Sequence, residues 1–117
     1  MTDTQDILLA VSALDWTDKT NAHLPAQAEL GTEALGALLA HVTRVAAGAM
    51  ANAEITPVSI TQDCTAPVRA GLPVTFETGI DRRTRTLIFA NGRALQEGTV
   101  VMTLTGVFAI PRQDDQA

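Results

Sequence analysis

The sequence predicts an α+β fold in which a curved antiparallel sheet wraps around one long central helix. Three observations carry that prediction. Residues 33–53 read as a single helix whose surface is apolar except at Glu33, His41, Thr43, Arg44 and Asn52. From Pro57 onward the apolar period changes from 3.6 to 2, through four successive segments separated by turn-like stretches. The helix also carries Ala34, Gly36, Ala37, Ala40, Ala47 and Gly48, so small that another element can approach its backbone closely. A helix this apolar has to be covered on most sides, and a curled sheet covers it.

In chain order, Ile7 to Val11 form an apolar run that periodicity alone assigns to neither helix nor strand, and Thr17 to Thr20 make a turn. The segment Asn21 to Ala26 then pairs back as a short strand, with Pro25 confining it to a strand end or an edge. Thr32 is the expected N-cap of the long helix and Glu33 suits the positive end of its dipole, while Asn52 marks its end. Val58, Ile60 and Cys64 alternate with polar neighbours in a first strand, and the stretch Ala66 to Pro73 makes a turn. Val74, Phe76 and Ile80 define a second strand, the residues Asp81 to Thr84 a turn, and Arg85 to Ala90 a third strand. Asn91-Gly92 reads as a bulge inside that longer strand. Gln96 to Gly98 turn into a last strand with Val100, Met102, Leu104, Phe108 and Ile110 on one face, completing a four-strand meander. Residues 85–95 are the expected open edge, and the polar tail 112–117 is expected to fray.

The 117 residues suit one domain, with about two-thirds of the unfolded surface buried. A composition 46% hydrophobic and 18% charged argues for a folded globule, built from aliphatic rather than aromatic side chains. The acidic start Met1 to Asp6 is unlike a secretory leader, and no uncharged apolar run approaches the ~18 residues of a membrane span, so a cytoplasmic protein is expected. The one cysteine, Cys64, excludes an internal disulfide and reads as inert packing. Net charge is −5, which argues against nucleic-acid binding. Yet the basic residues concentrate in the second half, where Arg69, Arg82, Arg83 and Arg85 leave room for a small phosphate-bearing ligand. Two histidines and one cysteine far apart make no metal set, and no glycine-rich phosphate loop is present.

The run Pro57 to Val74, followed by Ile80 to Phe89 and Gly98 to Ile110, resembles the hotdog-fold thioesterase superfamily, in particular the branch related to the phenylacetate-degradation acyl-CoA thioesterase. Pro67, Gly71, Arg85, Gly106 and Phe108 stand where that pattern places similar residues. The resemblance implies one helix inside an antiparallel sheet, a homodimer joined edge to edge or a homotetramer, and cleavage of an acyl-CoA thioester between subunits. It implies no cofactor beyond coenzyme A as part of the substrate, no nucleic acid and no membrane, with the nucleotide over the basic side of the meander near Arg82, Arg83 and Arg85.

In that family a His-Gly-Gly opens the helix and a carboxylate follows a few turns in. Here the stretch is Gly31 to His41 without that motif, and by spacing His41 takes the carboxylate's place. Thioester hydrolysis needs a base or nucleophile and donors for the oxyanion. His41 and Glu33 are the candidate catalytic residues, and free N–H groups at Gly31, Thr32 and Glu33 the candidate donors. Against these stand plainer roles: His41 as an interface residue bonded to a carbonyl or water, Glu33 as a first-turn dipole complement, and Arg82 and Arg83 as solvated turn residues. The alternative function is a non-catalytic hotdog protein that binds acyl thioesters or serves as an assembly subunit.

Overall fold

A computed structural model describes residues 11–27 and 30–111. The unassigned run's residues 7–10 and the tail 112–117 lie outside them. Six strands, β1 (Asp15–Trp16), β2 (Asn21–Leu24), β3 (Thr56–Cys64), β4 (Val74–Arg83), β5 (Leu87–Gln96) and β6 (Thr99–Ala109), form one antiparallel sheet around helix α1 (Thr32–Ala51). The order across the sheet is β1-β2-β4-β5-β6-β3.

Helix α1 forms where the apolar pattern places it, two residues tighter at its end than expected. Its N-cap is Gly31, in extended backbone, and not Thr32, which is the first helical residue; no side chain caps the start. The helix ends because Asn52 adopts the left-handed conformation at φ 54°, while Ala53 N donates to Gly48 O at 3.1 Å. Leu35, Leu38, Leu39 and Val42 are fully buried against Phe76, Ala94, Leu104 and their neighbours. By length and composition α1 is apolar enough to cross a bilayer, with half of that window buried inside the fold. Here the sheet supplies the apolar surroundings.

Three expectations about the sheet are corrected. The meander has three strands, β4-β5-β6, because β3 pairs with β6 on the far side. Residues 65–73 are a crossing loop and not a turn. That loop is held at the bulged residue Val101, whose carbonyl accepts from Thr65 N at 3.0 Å, and by Gln96, fully buried. The Gln96 amide accepts from Arg69 N at 2.9 Å and donates to Arg69 O at 2.8 Å. Consequently β5 is central, and β3 is the open edge.

No bulge occurs at Asn91-Gly92, which pair in register with Gly79 and Thr78. Gly92 is there because the helix sits on it: a Cβ would overlap Thr43 Oγ1 and lie 3.2 Å from Leu39 Cδ1. The bulge falls instead at Asp81, between Ile80 and Arg82. Asp81, Arg82 and Arg83 therefore end a strand, and the turn is Thr84 to Thr86. The β5–β6 connection is a two-residue turn with Glu97 at φ 50° and Gly98 at φ 79°, which matches the twist of paired strands.

Candidate active site

One stripe of α1 stays uncovered. Glu33, Ala37, Val45 and Ala49 are exposed, and His41, Arg44 and Gly48 are half-buried. They recur at three- and four-residue steps because the sheet clasps the other faces of the helix. The sequence stripe is thus a physical one, and it opens toward the edge strand β3. Every residue of β3 is exposed, including Val58 at 61% and Ile60 at 40%, and Val45 on the helix stripe is 36% exposed. Cys64, expected to be inert packing, is also exposed, because β3 has no neighbour on its outer side and little helix above it.

Along that stripe Glu33 and His41 are eight residues apart, about 12 Å at ~1.5 Å per residue. They share a face without meeting, so one chain does not bring both to one carbonyl. Burial holds the His41 imidazole below its ordinary titration range, and the Arg44 cation one turn on pushes the same way. His41 is therefore a neutral acceptor at neutral pH. Gly31, Thr32 and Glu33 present the helix's first N–H groups at the start of α1, where no side-chain cap consumes them and the dipole favours developing negative charge.

Arg82, Arg83 and Arg85 gather at the β4–β5 turn, at the opposite end of α1. This is the end where Ala47 and Ile55 pack on Ile88, Ala90 and Phe108. All three arginines are exposed. The Arg82 guanidinium lies 6.0 Å from the centre of the Phe89 ring. Asp81 pairs with none of them; it accepts from Asn91 Nδ2 at 2.7 Å. Among the described residues the ion pairs are Arg69–Glu97 and Arg93–Glu77, both exposed, so the arginine turn keeps its charge for another anion. Arg69 stands apart from that turn, on the crossing loop at the start of the helix, where Gly71 N donates to Gln27 O at 2.8 Å. Among the described residues no three His, Cys, Asp or Glu side chains come together as a metal site.

Sequence reasoning passed over Gln62. On β3 it sits opposite Leu104 of β6, hence on the helix side of the sheet, and its Nε2 donates to the carbonyl of Gly36 at 2.6 Å. The available signal was an amide interrupting the apolar alternation of Val58, Ile60 and Cys64.

Residues 34–109 match the family described as acyl-CoA thioesterase N-terminal domain. The chain belongs to that family. Its fold is shared with several solved structures. A phenylacetic acid degradation-related protein of Ralstonia eutropha JMP134 superposes with a TM-score of 0.73 at 19% identity, over 88% of this chain and 89% of that one. The E. coli PaaI protein of the phenylacetic acid degradation operon gives 0.71 at 12% identity, over 79% and 72%. A hypothetical thioesterase protein of Streptococcus pneumoniae TIGR4, solved with coenzyme A, gives 0.71 at 8% identity, over 86% and 88%. No curated protein matches the chain in sequence. The expected hotdog architecture and thioesterase family therefore hold.

Proposed function

We propose that this protein is a cytoplasmic acyl-CoA thioesterase whose residues 34–109 form a hotdog domain. It needs no cofactor, works as a homodimer or a larger assembly of such dimers, and is divergent in its catalytic residues. Family membership over residues 34–109 is the observation that carries the reading. The helix start supplies the chemistry's electrostatic half: N–H groups of Gly31 to Glu33 take the thioester oxygen as it gains charge, in the field of the helix dipole. His41, neutral at working pH, accepts a proton from the attacking water, and Glu33 orients that water. The ~15 Å between the helix start at Gly31 and His41 is closed by a second copy, so that His41 serves a thioester held at the other chain's helix start.

That second copy adds through β3. Its outward backbone is unpaired, and its own Val58 and Ile60 lie uncovered. Pro57 and the bulge at Val58 spoil one end for pairing, which leaves Ser59 to Cys64 as the regular edge. The substrate lies lengthwise, with its thioester at the helix start and its nucleotide phosphates on Arg82, Arg83 and Arg85 at the far end.

The test is hydrolysis of a panel of acyl-CoA substrates. His41→Ala and Glu33→Ala are expected to lose at least tenfold in kcat. Wild-type rates in both variants overturn the site, and binding without turnover by the wild type favours the alternative of an acyl-thioester-binding or assembly subunit.

A further inference from the structure

The lane between α1 and β3 is bridged by a single side chain, Gln62, among the described hydrogen bonds. One amide hydrogen of Gln62 is spent on Gly36 O. Its second amide hydrogen and its Oε1 have no partner among the described residues. The bond pins the amide plane, so the unspent donor and acceptor point in fixed directions. Gly36 makes room for this arrangement, since a Cβ there would lie 3.0 Å from Gln62 Oε1. Ala37 and Ala40 on the neighbouring helix surface leave the lane narrow in bulk but open.

We propose that Gln62 binds the pantetheine arm of the thioester substrate, its free Oε1 accepting from the N–H of an amide in that arm. The inference rests on the proposed acyl-CoA reading and adds a residue to it. The spacing agrees. From the helix start at Gly31 to Gly36 is five residues, about 7.5 Å at ~1.5 Å per residue. Between a thioester carbonyl and the first amide nitrogen of the arm lie four bonds, a reach on the order of 6 Å. An arm running from the helix start toward the arginine turn therefore passes Gln62 with an amide at the right depth. The backbone of a second copy is not the partner of this amide. Such a strand adds in the plane of the sheet, whereas Gln62 stands perpendicular to it, toward the helix.

The test compares the dissociation constants of coenzyme A and of adenosine 3′,5′-bisphosphate, which lacks the arm, by calorimetry on the full chain. Gln62→Ala removes the amide, and Gln62→Met keeps the bulk without the hydrogen bonds. Both variants are expected to weaken coenzyme A about tenfold, the worth of one neutral hydrogen bond, and to leave the bisphosphate unchanged. Equal losses for both ligands, no loss for either, or altered self-association with an unchanged ratio overturn the proposal. A wild type that binds coenzyme A without hydrolysing any acyl-CoA sinks the thioesterase reading while the ratio still decides for Gln62. A wild type that holds coenzyme A no better than the bisphosphate overturns the role of Gln62 even where hydrolysis is measured.

Discussion

Strands β5 and β3 are ten and nine residues long, belong to one sheet, and meet opposite fates. In β5 the inward residues Ile88, Ala90, Gly92, Ala94 and Gln96 are all buried, and the helix touches its backbone at Gly92. In β3 the inward residues Ile60, Gln62 and Cys64 are all exposed, and one outer edge of hydrogen-bonding groups is open. The chain finishes its core over β4, β5 and β6 and leaves β3 unfinished. A finished interior serves stability. An unfinished edge beside the exposed helix stripe serves whatever joins it.

The sharpest way to break the contrast is to damage the finished side. Phe76→Ala removes a fully buried ring and is expected to cost about 3–5 kcal/mol in urea unfolding. Gly92→Ala forces a methyl into Thr43 and Leu39, with an expected loss of about 2 kcal/mol or more by the same measurement, because the buried Thr43 side chain, whose hydroxyl donates to Leu39 O, must yield. On the unfinished side the readout differs. Ile60→Lys is expected to change the intrinsic stability of the chain by under about 1 kcal/mol and to abolish self-association in sedimentation. The smallest effect is at the salt bridge Arg69–Glu97, exposed on both sides, where Arg69→Ala is expected to cost under about 1 kcal/mol.

The stripe adds a pH signature. The folded state holds His41 below its ordinary value, so the stabilising contribution of neutral His41 is present above that ordinary value, about 6.5, and is lost as pH falls through the lowered one. The acid limb of a kcat/KM profile is expected below the usual histidine range and is expected to move up in Arg44→Ala, which removes the second cause of the shift.

Much of this was legible in the chain. The helix was readable to within about two residues because its apolar steps and Asn52 are local signals, and the stripe of Glu33, His41 and Arg44 followed from a fixed 100° turn. Strand pairing was not. Nothing in a period of two says that β3 should cross to β6, a choice made by the loop that Gln96 and Val101 hold. Asn91-Gly92 misled because its glycine answers to Thr43, forty-nine residues away, and not to a local turn. Arg82 and Arg83 read as a turn because the bulge at Asp81, which carries the strand two residues further, is a matter of register. The site residues were placed on the right face, but their separation by two turns, and the arginines' position at the far end of α1, required the fold.

Specific activity measured against protein concentration tests the central claim most directly. If a second copy completes the site through β3, acyl-CoA hydrolysis per chain falls on dilution in step with the dimer fraction, and Ile60→Lys is inactive while still folded. Full activity per chain from a proven monomer would contradict the account.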